Sequence, residues 1–189
     1  GDVYKIQTYD LNGNLVRLES QSGFGLDLIY DANGRLTTVR DPFGREMSFG
    51  YGSNGLVSQV TEPSVGTIQY RYDALFNLTE AEFPGSVIRR YHYENTTLKN
   101  ALTGITDELG VRYATFGYDS AGSATSTQLA GGVSRWSIAQ VSGKLRVPDP
   151  RNFTTDLTFA KVQGVAKLAS ATQPCPLCGG AVSYTHLQL

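Results

Sequence analysis

At 189 residues and 40% apolar content, the chain is long and apolar enough for one ordinary domain with a core. Sixteen basic against seventeen acidic residues leave a formal charge of −1; with no basic excess to meet a phosphate backbone, nucleic acid is not expected as a partner. Twenty-one glycines, 11 tyrosines and a single methionine favour turns and half-buried strands over helices, and no run approaches the roughly 20 apolar residues that cross a bilayer. The first residue is Gly1, no charged and apolar leader opens the chain, and the sequence starts inside a repeat, so both ends are expected to be cut.

The decisive pattern is internal repetition. Tyr9, Tyr30, Tyr51, Tyr72 and Tyr93 are spaced by 21 residues, and Tyr118 follows after 25, as if one unit had gained four residues in a loop. An acidic residue follows five of these six tyrosines, as Asp10, Asp31, Asp73, Glu94 and Asp119, with Gly52 the exception. Four residues on stand Gly13, Gly34, Gly55 and Gly122, the first three behind Asn12, Asn33 and Asn54, which predicts an Asn-Gly hairpin turn opening each unit. Leu15, Leu36 and Leu78 at six residues on, and Leu18, Val39, Val60, Ala81 and Leu102 at nine, are the expected buried positions of the first strand. A second turn is clearest at Asp41-Pro42-Phe43-Gly44. Large residues then alternate back to the tyrosine, as in Leu26/Leu28/Tyr30 and Ile68/Tyr70/Tyr72, the period of a strand with one apolar face.

Two strands and two turns fit one 21-residue unit at a rise of about 3.3 Å per strand residue. The expected fold is therefore all-β: stacked antiparallel hairpins in a spiral, solenoid-like sheet, with neighbours burying each other's aromatic faces. The period is clear from 9 to 118, and residues 1–130 are read as the repeats proper. Beyond them the tyrosine is lost, but Gly143 and Gly164 keep the turn positions, so 131–180 is read as a degenerate continuation containing a cysteine loop. The competing reading of that stretch is a helix from Lys161 to Ser170. Residues 181–189 include Val182-Ser183-Tyr184-Thr185-His186-Leu187, which resembles the translation of a transposon end used in sequencing libraries, and are expected to be a non-native tail.

Units such as Tyr30-Asp31-Ala32-Asn33-Gly34-Arg35-Leu36 followed by Asp41-Pro42-Phe43-Gly44-Arg45 resemble the YD repeats of RHS proteins. Ala130-Gly131-Gly132-Val133-Ser134-Arg135-Trp136 is similar to a continuation typical of bacterial members. The resemblance implies a segment of a larger hollow β-shell, as in bacterial polymorphic toxins, insecticidal toxin-complex subunits and the adhesive teneurins. In the bacterial members the shell encloses a C-terminal toxin, which an aspartyl autoprotease at the end of the repeats releases. Asp41-Pro42-Phe43-Gly44 superficially matches the Asp-Pro-x-Gly-Leu signature of that protease, but Arg45 stands in place of the leucine and the motif lies among the repeats, so it is read as a turn.

No catalytic residue is expected. The repeated carboxylates Asp10, Asp31, Asp73 and Asp119 could supply acid–base or calcium chemistry, yet they share one repeat position beside turns, where aspartate bonds its own backbone. Cys175 and Cys178 have the spacing of half a zinc ribbon, but four ligands are needed and only His92 and His186 remain. No metal or cofactor is therefore assigned, and the thiols are read as a loop pair, free or disulfide-bonded. His92, between Tyr91 and Tyr93, is expected at the surface. The expected role is enclosure by a secreted or cell-surface bacterial protein, with flanking repeats and a C-terminal domain of the same polypeptide as partners. The alternative is an extracellular module whose exposed tyrosines bind glycans or a cell-surface protein.

Overall fold

The computed structural model describes residues 5–172; Cys175, Cys178 and the suspected tail lie outside them. The chain divides into two compact units, residues 1–90 and 91–189. In the first, strands follow one another in chain order: β1 Lys5–Tyr9, β2 Leu15–Ser20, β3 Gly25–Tyr30, β4 Leu36–Arg40, β5 Glu46–Tyr51, β6 Val57–Glu62, β7 Gly66–Tyr72, β8 Leu78–Phe83 and β9 Val87–His92, whose last two residues belong to the second unit. Each pairs antiparallel with the next. This is the expected meander, because loops of three to five residues connect only antiparallel neighbours.

Alternation separates two unlike faces. One carries Val39 paired with Leu28 and Met47, Val60 with Phe49 and Ile68, and Ala81 with Tyr70. The other carries ion pairs laid across strands, such as Arg17 with Asp27, Arg40 with Glu46, and Arg71 with Glu80 and Glu82. The aliphatic positions at six and nine residues past each tyrosine are three apart, which strict alternation would put on opposite faces. A register shift falls at Tyr9, Tyr30, Tyr51, Tyr72 and Tyr118 and resolves this. Tyr30 pairs with Leu36 and Leu28 pairs with Val39, so the β-bulge between them turns both aliphatic side chains to the tyrosine face.

Those positions, Ala81 excepted, are half-buried where the sequence suggested a buried core. Among the described residues the buried apolar side chains are only Ala81 and Ala114, at 2% and 5% exposure. A single sheet has no second layer to cover its apolar face.

The turns also differ from the Asn-Gly type. Asn12, Asn33 and Asn54 keep negative φ, and only the glycine behind each is left-handed. The primed two-residue turn requires both central residues left-handed; it occurs instead at Ser142-Gly143 and Gln163-Gly164. In the Asp73 turn the left-handed position is taken by Phe76, at φ 64° and 62% exposed. An L-residue there costs about 1–2 kcal/mol, against roughly 0.5–1 kcal/mol for glycine's extra freedom when unfolded. Phe76→Gly is therefore expected to stabilise the β7–β8 hairpin by about 0.5 kcal/mol, read as slower amide exchange across that turn.

In the second unit β10 Gly104–Thr106, β11 Arg112–Tyr118, β12 Ala124–Leu129 and β13 Trp136–Ser137 again pair antiparallel in order. The extra residues before Tyr118 fall in the connection 93–103 that precedes β10. A second sheet holds β14 Ala139–Val141, β15 Lys144–Pro148, β16 Thr154–Val162 and β17 Val165–Ala171. The last two strands replace the alternative helix from Lys161 to Ser170: Gln163-Gly164 reverses the chain where a helix would have to continue. Among the described residues no helix is long and apolar enough to cross a membrane.

Candidate functional site

Two devices recur along the chain. The first is built on the tyrosines. Tyr30 donates its hydroxyl to the Leu15 carbonyl (2.9 Å), Tyr51 to Leu36 (2.7 Å), Tyr72 to Val57 (2.9 Å) and Tyr118 to Leu102 (2.9 Å). Leu15, Leu36 and Val57 are the residues that pair with the preceding repeat's tyrosine at its bulge. Each of these three tyrosines thus ties down the irregular point of the unit before it. Tyr9, in the first described strand, bonds Gln7 instead and is 55% exposed. Tyr93 lies half-buried just past β9.

The second device is an aspartate-capped turn. At Asp10, Asp31, Asp73 and Asp119 one carboxylate oxygen accepts the backbone N–H groups two and four residues on, at 2.8–2.9 Å. The aspartate carbonyl accepts the N–H at three residues on, from Gly13, Gly34, Phe76 and Gly122, and its own N–H donates to the carbonyl at four. Asp41, Asp107 and Asp149 build the same turn. The first two occupy the second-turn position, so one device serves both edges of the sheet. Their shared mark, Asp followed by Gly three residues later, stands at Asp41-Gly44, where the sequence placed a second turn, and again at Asp107-Gly110, which the tyrosine spacing alone does not single out. Asp149 carries Asn152 in the left-handed position instead.

Two of the positions that follow the tyrosines, 52 and 94, depart from the device. At Gly52 the carboxylate is missing, and the Asn54 side-chain oxygen accepts the Leu56 N–H (3.0 Å). Glu94, one methylene longer than aspartate, reaches across to Arg112 in a two-pronged pair (2.7 and 2.8 Å) and accepts from the Thr103 hydroxyl. His92 is half-buried and shares a 2.7 Å hydrogen bond with the Thr106 hydroxyl, which corrects its expected surface position.

These bonds favour the ionised carboxylates. The Asn14 carboxamide lowers the Asp10 pKa, the Arg35 backbone N–H that of Asp31 and the Asn77 carboxamide that of Asp73. At Asp41 and Asp149 burial pushes upward, but the bonds from Arg45 and Arg151 outweigh it. Hydrogen bonds from Arg112 take Glu94 to about 2. A depressed native pKa contributes stability that is complete above the ordinary carboxylate range near ~4 and is lost as pH falls through the native value. The turns of Asp10, Asp31, Asp41, Asp73 and Asp149 are therefore expected to loosen progressively in acid and to be indifferent to pH between about 6 and 9. Amide exchange at the tips of these turns, corrected for intrinsic pH dependence, tests this; protection that stays unchanged well below the ordinary carboxylate range near ~4 would contradict it.

Among the described residues no three potential metal ligands cluster, and each capping aspartate faces its own turn backbone. What the arrangement does chemically is fix repeat geometry. Residues 30–64 match the family model described as RHS Repeat.

Residues 30–64 carry an RHS repeat.

The matched stretch runs from Tyr30, through the Asp31 and Asp41 turns and the tyrosine clamp between Tyr51 and Leu36, to Ser64. The chain shares its fold with a crystal structure of TcdB2-TccC3: identity is 17%, the match covers 83% of this chain and 11% of that one, and the TM-score is 0.57. A structure of the Photorhabdus luminescens Tc holotoxin pore carrying a mutant TccC3 also matches, at 14% identity over 89% of this chain and 13% of that one, with a TM-score of 0.43. The chain therefore spans roughly a tenth of the length of these proteins. No curated protein sequence matches it.

Proposed function

We propose that this RHS segment is part of the wall of a large β-shell, and that the shell encloses a C-terminal, toxin-like part of the same polypeptide. The supporting observation is the tyrosine clamp. Each clamped repeat bonds the one before it, so the array can be lengthened unit by unit without an active site or a cofactor. Residues 131–180 are then the degenerate end of this run of repeats, and the partners are flanking repeats and the cargo. The work is steric and non-enzymatic, in a protein exported from a bacterial cell.

Enclosure is preferred over glycan recognition because four of the tyrosine hydroxyls that would read a sugar already donate to backbone carbonyls. The test is limited proteolysis of the complete polypeptide that contains this segment. Its C-terminal part is expected to survive protease until the repeats are opened by denaturant. Digestion at the rate of the same part expressed alone would overturn enclosure.

A further inference from the structure

Three Asn-Gly pairs, Asn12-Gly13, Asn33-Gly34 and Asn54-Gly55, stand at exposed turns of successive repeats. Asn-Gly is the dipeptide most open to spontaneous succinimide formation, because glycine puts no side chain in the way of its own amide nitrogen. In all three turns that nitrogen is occupied: Gly13 N–H donates to Asp10, Gly34 to Asp31 and Gly55 to Gly52, at 3.0–3.1 Å. The turn must open before the nitrogen can attack.

What holds each turn shut differs. Around Asn12 and Asn33 the carboxylates of Asp10 and Asp31 add two N–H bonds each to the backbone pair. Gly52 adds none, and the turn at Asn54 keeps its backbone pair with only the bond from Leu56 to the Asn54 carboxamide. That bond also folds the carboxamide toward the following peptide and draws electron density from the carbonyl that would be attacked. The Asn12 and Asn33 carboxamides have no such bond among the described residues.

We infer that Asn54 is a built-in deamidation site of this chain, and that the aspartate caps protect its two counterparts, Asn12 and Asn33. The Gly55 nitrogen gives up its proton and bonds to the Asn54 side-chain carbonyl carbon, and ammonia leaves with that proton, closing a five-membered imide. Water then adds to either imide carbonyl and breaks that carbonyl's bond to nitrogen. Opening at the side-chain carbonyl yields aspartate; opening at the main-chain carbonyl yields isoaspartate. The sum is one water consumed and one ammonia released, with no oxidant or enzyme. Isoaspartate lengthens the main chain by one carbon within the loop that sets the pairing of Tyr51 with Val57. The reaction would therefore loosen one defined hairpin of the array.

The test is incubation of the whole chain at mildly alkaline pH, followed by digestion and mass spectrometry of the three peptides, with a urea-unfolded sample as reference. In the native chain Asn54 is expected to convert about tenfold faster than Asn12 and Asn33, the factor that ~1.4 kcal/mol of extra opening cost supplies. In urea the three rates should converge. Gly52→Asp should slow Asn54 to the pace of the others, because the new carboxylate displaces the Asn54 oxygen that lies 3.0 Å from the position of its Cβ. Asp31→Ala should bring Asn33 up to the rate of Asn54. Equal native rates, a faster Asn12 or Asn33, or a Gly52→Asp variant that still converts at the original rate would overturn the inference.

Discussion

Ala114→Asp is expected to destabilise the second unit by about 3 kcal/mol at neutral pH. Ala114 is 5% exposed, with Ile105 and Leu129 as its cross-strand partners. Neither offers the new carboxylate a hydrogen bond or a counter-charge. The nearest candidate cation along the strand, Arg112, points elsewhere: its guanidinium bonds Glu94 and the Thr103 carbonyl and covers Gly104, which pairs with Thr115 on the other face. The buried acid must either remain charged without a partner or take up a proton, so its native pKa is raised. A raised carboxylate pKa reverses the usual sign. The destabilisation is largest above that pKa and diminishes as pH falls through it toward the unfolded value. Amide exchange across β10, β11 and β12 at about pH 7 and pH 5 is the measurement, with Ala114→Asn as the uncharged comparison. A loss as large for asparagine as for aspartate at both pH values would assign the effect to volume rather than charge.

Gly66→Val should cost nearly as much in the first unit, about 3 kcal/mol. Gly66 opens β7 at φ 102°, beyond the left-handed region where Phe76 sits, and a Cβ there would lie 3.0 Å from the Pro84 ring of the neighbouring turn. Two causes act together: a backbone angle that an L-residue rarely adopts, worth roughly 1–3 kcal/mol, and crowding against a ring that cannot swing away. A cycle of Gly66→Val, Pro84→Ala and the double variant separates them. If crowding dominates, removal of the ring restores most of the protection of the β6–β7 and β8–β9 turns. If the backbone angle dominates, the double variant stays as exchange-prone as Gly66→Val.

The hairpin meander, the turns that open the units, the second turn at Asp41–Gly44 and the apolar face of the strands follow from the spacing of tyrosine, glycine and aliphatic residues alone. They follow because each depends on contacts within one unit or with its immediate neighbour, and such contacts leave a period in the sequence. The aspartates were legible as turn residues for the same reason: Asp31 and the N–H groups it accepts are at most four residues apart.

Tertiary structure decided what crosses between units or competes between two local solutions. Asn-Gly at 12, 33 and 54 reads as a two-residue primed turn, but the carboxylate at 10 or 31 offers two N–H bonds to a longer loop, and even where Gly52 lacks it the bulge at Tyr51 keeps the same loop length. The three-residue step from Leu36 to Val39 conflicts with alternation until the bulge opposite Tyr30 is seen. The destination of the tyrosine hydroxyls, 15 or 16 residues back along the chain, has no local signature at all. Glutamate at 94 in place of aspartate looks conservative, yet one methylene moves its carboxylate from a turn to Arg112. Period and residue type thus determined the repeating hairpin, because that information is local; how one repeat is fastened to the next depends on atoms brought together only when both have folded.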